Sequence, residues 1–147
     1  MKLSLRPAAD ADYLFAFELK KLCEQDVITR QFGWDEELQL ELHRQEWRSG
    51  LPTLICADGV AVGTFRLHLH DERFHFSRFF ILPAYQNQGL GSEILTFVTK
   101  RCTQLQRACL LCCIQGNRAT ELYQRFGFTT YRQDSQFIYM KYQPIAD

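Results

Sequence analysis

The stretch Phe74–Thr96, FHFSRFFILPAYQNQGLGSEILT, limits the possible folds of this chain more than any other. It opens with an apolar, aromatic run from Phe74 to Leu82, a composition that favours a β-strand. Pro83 closes the run, because proline cannot donate to a strand ladder. A short polar loop follows, Ala84 to Gln88, and then two glycines one residue apart, Gly89 and Gly91. Beyond them Leu90, Ile94, Leu95 and Val98 follow helical spacing. The order is strand, glycine loop, helix. Free N–H groups and the positive end of the dipole collect at a helix N-terminus, and glycines remove the side chains that would keep a phosphate away. The segment reads as a seat for a pyrophosphate, with a plain turn as the ordinary alternative for a glycine pair on its own.

The rest of the chain surrounds this segment with a mixed α+β pattern. Leu3–Arg6 is a short strand ended by Pro7. Asp10–Asp26 reads as a helix with Asp10 as its cap and Tyr13, Leu14, Phe17 and Leu22 near helical spacing. Val27–Trp34 reads as a loop or short helical turn around Gly33. Asp35 then caps a second helix with Leu38, Leu42 and Trp47 on one side, broken by Ser49-Gly50-Leu51-Pro52. Thr53–Ala57 and Val60–His70 form a hairpin at Asp58-Gly59, and Asp71-Glu72-Arg73 turns the chain into the Phe74–Leu82 strand. After the Gly89–Leu105 helix come a strand at Ala108–Ile114, a helix at Asn117–Arg125 ended by Gly127, and closing strands at Phe128–Tyr131 and Phe137–Tyr142. With 147 residues and no linker or repeat, residues 1–147 are expected to form a single domain.

Composition narrows the function classes. The formal net charge is zero, so neither nucleic acid nor an anionic membrane is the expected partner. No apolar run approaches the roughly 20 residues that span a bilayer. The N-terminus lacks the apolar core of a signal peptide, so a cytoplasmic protein is expected. Six cysteines are present. Cys109-x-x-Cys112 has the spacing of a metal pair, but no second pair or histidine cluster accompanies it, so no metal is expected. The uniformly apolar run Ala108–Ile114 suggests that the cysteines there are core residues.

Two motifs carry a more specific signal. Gln86-Asn87-Gln88-Gly89-Leu90-Gly91 is Gln-x-x-Gly-x-Gly directly after strand and proline. It is neither a Walker A loop nor a dinucleotide fingerprint. Downstream, Asn117 and Leu122-Tyr123 close on Phe126-Gly127-Phe128. In this order the two segments resemble the acetyl-CoA signature and the Asn…Leu-Tyr-x-x-x-Gly-Phe segment of the GCN5-related N-acetyltransferase (GNAT) superfamily. The resemblance covers nearly the whole chain and is strongest from Phe74 to Phe128. It implies an α+β acyl-CoA N-acyltransferase fold, a mostly antiparallel sheet of about seven strands with about four helices, splayed near its middle to admit the cofactor.

The resemblance also implies roles. Backbone groups of Phe79, Phe80 and Ile81 would pair with the pantetheine arm of acetyl-CoA like an added strand. N–H groups of Gln86, Asn87, Gln88, Gly89, Leu90, Gly91 and Ser92 would receive its pyrophosphate. Asn117 would hydrogen-bond the pantetheine or a nearby backbone group, or cap its own helix. Tyr123 would protonate the departing thiolate; a phenol of pKa near 10 matches that basicity, and a core tyrosine is the plain alternative. Many relatives carry a carboxylate on the strand before the glycine loop, whereas Ser77 to Leu82 has none and Phe80 stands at such a position. The base is left to His68, His70 and His75, the first two on one face of their strand, or to water. Trp34, Glu36 and Glu37 form an aromatic and acidic segment suited to a cationic amine, or else ordinary packing beside a capped helix. The expected function is acetyl transfer from acetyl-CoA to a primary amine of a small molecule or peptide. A non-catalytic acyl-CoA-binding sensor is the alternative. The acceptor and the oligomeric state, a homodimer included, are left open, and the bulk of Phe79 and Phe80 argues against a roomy acyl pocket.

Overall fold

The computed structural model describes residues 1–145. Among the described residues, seven strands form one sheet in the order β1-β2-β3-β4-β5-β7-β6, accompanied by four α-helices. The strands are β1 (Leu3–Pro7), β2 (Thr53–Ala57), β3 (Val60–His70), β4 (Arg73–Ile81), β5 (Cys109–Ile114), β6 (Thr129–Gln133) and β7 (Phe137–Tyr142), and the helices are α1 (Tyr13–Phe32), α2 (Glu36–Ser49), α3 (Leu90–Leu105) and α4 (Ala119–Arg125). The pairing of β4 with β5 is parallel, with the register Phe74↔Cys109 and His75↔Leu110. A parallel pair needs a crossover, and α3 supplies it. The chain groups into two compact units, one of Met1–Arg66 with Arg78–Tyr85, the other of Leu67–Ser77 with the residues from Gln86 onward.

In the first unit β1 pairs antiparallel with β2, Leu3↔Ala57 to Pro7↔Thr53. The Asp58-Gly59 hairpin forms as its sequence predicts, with φ of 50° and 82°. Positive φ at both turn residues is the geometry that matches the twist of paired strands. Gly63 of β3 has a different reason for being glycine. A Cβ there would lie 2.6 Å from the Phe80 carbonyl oxygen of β4. At Arg78 (φ 51°) the backbone of β4 leaves the extended region, and Thr64 Oγ1 donates to the Arg78 carbonyl at 2.8 Å.

Both helices of this unit differ from the sequence reading. The first is not confined to Asp10–Asp26, and Val27–Trp34 is not a loop. α1 continues through Phe32, because Val27 and Ile28 prolong its buried face, and Gly33 (φ 78°) stops it. Its cap is not Asp10, which lies in a 3₁₀ turn at Asp10–Asp12. Asp12 instead accepts from the Ala9 N–H at 2.8 Å and from Arg6 at 2.9 Å. Those two bonds, Arg6 first, hold its carboxyl below the usual range. Leu14 and Leu22 are exposed, while Ala16, Phe17, Leu19 and Lys20 are buried.

Asp35 does cap α2, accepting from the Leu38 N–H at 3.1 Å. Asp35→Ala should cost about 1 kcal/mol, read as a lower denaturation midpoint with an unchanged slope. The expected apolar side of α2 is not the packed one, since Leu38 is 51% and Leu42 37% exposed. Gln39 and His43 are buried instead. His43 packs against the rings of Tyr13, Phe17 and Trp47, and Trp47 also covers Ala8, Leu54 and Cys56. Three aromatic partners and a backbone bond fix the rotation of this mostly polar helix, and the leucines are left outside.

In the second unit α3 buries Leu90, Ile94, Leu95, Val98 and Cys102. β5 pairs antiparallel with β7 from Cys109↔Tyr142 to Ile114↔Phe137. It alternates where uniform burial was expected. Cys109, Leu111 and Cys113 are buried and Cys112 is exposed, because successive side chains of a strand point to opposite faces. The two cysteines of the Cys-x-x-Cys pair therefore lie on opposite faces. α4 ends as predicted. Gly127 has φ 94°, with N–H bonds from Gly127 to the Gln124 oxygen and from Phe128 to the Tyr123 oxygen, each 3.1 Å.

Candidate active site

The glycine loop forms a helix start that lacks side-chain protection. After a 3₁₀ turn at Pro83–Tyr85, Asn87 takes φ 61°. Gly89, at φ 86° and ψ 0°, is the N-cap of α3 and makes no side-chain cap bond. The first helical bond runs from the Glu93 N–H to the Gly89 oxygen at 3.1 Å. The first N–H groups of a helix have no intrahelical acceptor, so those of Leu90, Gly91 and Ser92 point out of the helix end. A Cβ built on Gly89 would meet nothing within 4 Å. The loop from Gln86 to Ser92 contains no lysine or arginine. The fit to a phosphate rests on backbone donors and the helix dipole.

The second predicted element is the end of β4. Phe79, Phe80 and Ile81 are half-buried. Upstream of them, β4 pairs with β5 at Phe74 and His75. One contact was not foreseen: the Cys23 thiol donates to the Ile81 carbonyl at 3.2 Å. Burial pushes that thiol up to about 11, which makes Cys23 a poor nucleophile.

Asn117 and Tyr123 lie in the second unit. Asn117 Oδ1 accepts from the Ala119 N–H at 2.8 Å, and its carbonyl accepts from Thr120 Oγ1 at 2.9 Å. Its side-chain oxygen therefore closes the turn that leads into α4, whose N-cap is Arg118, leaving the amide NH₂ as the part a ligand would meet. Tyr123 is the buried residue of α4, 5% exposed. Its ring stands edge-on to Phe76 at 6.3 Å and tilted to Phe128 at 5.9 Å. The Phe-Gly-Phe segment after the helix thus packs against the tyrosine that precedes it.

The histidines named as base candidates do meet. The His68 and His75 rings stack at 5.3 Å, and His70 approaches His75 at 5.9 Å. They sit at the tip of the β3–β4 hairpin, where Asp71 and Glu72 both have positive φ. Among the described residues, no group of three or more His, Cys, Asp or Glu has an arrangement that holds a metal.

The acidic segment between α1 and α2 is partly committed elsewhere. Trp34 Nε1 donates to Glu36 Oε1 at 2.8 Å, and Lys21 Nζ pairs with Glu36 Oε2 at 3.1 Å. The indole N–H, then the ammonium, lower the Glu36 pKa. Both oxygens of Glu36 have partners, and Glu36 and Glu37 are both exposed.

Sequence reasoning missed a polar cluster in the first unit. Lys20 of α1, His43 and Glu46 of α2, and Arg78 of β4 come together around a cavity beside Phe80, and the charges of Lys20 and Glu46 reach Glu24 of α1. The available signal was Lys20 and Glu24, at i+4 and i+8 from Ala16 on the buried face of α1, where the spacing calls for apolar residues.

With this geometry described, comparison with known proteins identifies the class. The profile of the acetyltransferase (GNAT) family matches residues 17–128. The chain belongs to that family. No individually curated protein sequence matches it. Solved structures are similar in fold. The PaiA N-acetyltransferase of Thermoplasma acidophilum, solved with coenzyme A, is 16% identical, with a TM-score of 0.74 over 97% of this chain and 99% of its own. The ribosomal-protein-S18-alanine N-acetyltransferase of Escherichia coli is 15% identical, with a TM-score of 0.72 over 99% and 97%. A protein of Salmonella typhimurium solved with its cofactor acetyl-CoA is 17% identical, with a TM-score of 0.65 over 100% and 96%. No helix among the described residues is long and apolar enough to cross a membrane.

Proposed function

We propose that this protein is an acetyl-CoA-dependent N-acetyltransferase that acts on a primary amine by direct attack. The observation that carries the reading is the uncapped start of α3 behind the open Gly89 cradle. Acetyl-CoA supplies an acetyl group activated as a thioester. The N–H groups from Gln86 to Ser92 hold its pyrophosphate, and the backbone of Phe79 to Ile81 lines its pantetheine arm, assisted by the amide of Asn117. An N–H near Phe79 polarises the carbonyl. The amine nitrogen forms the new C–N bond as the C–S bond breaks. Tyr123 gives its phenolic proton to the departing sulfur, and the amine proton leaves to water or to the His68, His70 and His75 group. The acceptor is a small molecule or peptide that meets Trp34 and the carboxylates of Glu36 and Glu37.

A second reading is a non-catalytic acyl-CoA sensor, favoured by one observation: Ser77 to Leu82 contains no carboxylate. A buried phenol beside the motif that positions it counts against that reading, because a pure binder needs no proton donor.

Gly91→Val tests the cofactor seat. Gly91 lies in the first turn of α3 and is not among the glycines with positive φ, so the backbone accepts valine. Acetyl-CoA affinity measured by calorimetry should fall more than tenfold, about 1.4 kcal/mol. Unchanged affinity in a folded variant would remove the loop from the site.

A further inference from the structure

The cavity beside Phe80 carries charges that the proposed reaction has not used. Its polar walls are Lys20 of α1, His43 and Glu46 of α2, Thr64 of β3 and Arg78 of β4. Lys20 is 9% exposed, and among the described residues it makes no hydrogen bond and no ion pair within 4 Å. Its charge is felt by Glu24. The Arg78 side chain is nearly as buried. Its Nη2 donates to the Gly50 carbonyl at 2.6 Å and its Nε lies 3.9 Å from Glu46 Oε2. Arg78 Nη1 is buried with no hydrogen-bond partner, and so is Glu46 Oε2. The other polar walls are already satisfied. His43 Nε2 bonds to the Tyr13 carbonyl at 2.9 Å, with burial lowering the ring's pKa so that it stays neutral, and the Thr64 hydroxyl donates to the Arg78 carbonyl.

Buried ionic donors without acceptors are costly. A water would satisfy one N–H but would leave the charge uncompensated. The charged groups that line the cavity are Lys20 and Arg78 against Glu46, two cations to one anion, a surplus of one positive charge. A singly charged anion with two acceptor oxygens answers both needs, and a carboxylate is that group. The far wall is Phe80, whose neighbours Phe79 and Ile81 line the cofactor arm in the proposed site.

We propose that this cavity is a carboxylate subsite formed by Lys20 Nζ and Arg78 Nη1, and that the acceptor amine belongs to an amino acid. Naming the ligand as acceptor rests on the N-acetyltransferase reading, whereas binding at the cavity does not. A strand advances about 3.3 Å per residue, so a carboxylate held beside Phe80 leaves the amine of an amino acid within a residue or two of the thioester.

The test uses the full ¹⁵N-labelled chain without cofactor, titrated with each of the twenty L-amino acids and its amide. At least one amino acid should shift the amides around Lys20, His43–Glu46 and Arg78–Phe80, and its amide should bind at least tenfold more weakly. Lys20→Met keeps the stem and removes the charge. It should weaken that amino acid at least tenfold. No response to any amino acid, which would make the cavity a water site, overturns the proposal. So does equal binding of the amides, or undiminished binding by Lys20→Met. The acid-versus-amide comparison on the unaltered protein decides the matter even if the variant does not fold. Acetyl-CoA turnover over the same panel separates the two readings. Amino acids that bind without any compound being acetylated defeat the transferase and leave the subsite standing. Amides acetylated as well as the acids defeat the subsite and leave the transferase.

Discussion

Tyr123→Phe should lower the turnover number by about 10²–10⁴, the usual contribution of a positioned general acid. Acetyl-CoA affinity should change far less. The ring of Tyr123 packs on Phe76 and Phe128, and phenylalanine keeps those contacts, so the fold should survive. Only the hydroxyl is lost, and with it the proton donor of the proposed reaction. A tyrosine that served packing alone would give the reverse pattern. Turnover would stay near normal, and stability would fall by roughly 1–3 kcal/mol as a buried partner lost its bond. Steady-state kinetics and a melting curve on the same variant separate the outcomes. Near-normal turnover with any accepted amine rejects the general-acid role.

Gly63→Val should destabilise the protein by about 2–3 kcal/mol, a drop in Tm of roughly 4–12 °C for a chain of this size. The added Cβ would stand 2.6 Å from the Phe80 carbonyl oxygen and 3.2 Å from Ile55 Cδ1. The first obstacle is backbone, so it cannot rotate aside, and β3 and β4 must separate at that point. The strain falls one residue from the Thr64–Arg78 bond and beside the β4 residues assigned to the cofactor arm. Acetyl-CoA affinity should fall together with Tm. A melting curve unchanged from the parent protein would show that the two strands have slack at this position.

The elements that the sequence made legible are those whose cause is local. The Asp58-Gly59 hairpin, the Asp35 cap, the αL stop at Gly127 and the passage from β4 through Gly89 into α3 each follow from the conformational preferences of a few adjacent residues. Two motifs in the right order were enough to identify the family. α2 was misread because its apolar residues do not decide which side is buried. Leu38 and Leu42 face outward because His43 and Trp47 find ring partners on Tyr13 and Phe17, residues some thirty positions earlier. Cys112 was misread because an apolar run does not reveal that one face of its strand is open.

The sequence by itself determined the order of elements, the glycine-led start of α3 without a side-chain cap and the place of Tyr123 ahead of its glycine turn, because backbone dihedrals and hydrogen-bond donors in a short segment depend on that segment alone. Only the tertiary structure decided the rotation of α2, the need for glycine at position 63, the engagement of Glu36 by Trp34 and Lys21, and the gathering of Lys20, Glu46 and Arg78 around one cavity. Those features depend on distances between residues far apart in the chain, and burial, which makes an unpaired charge costly, is a property of the folded surroundings.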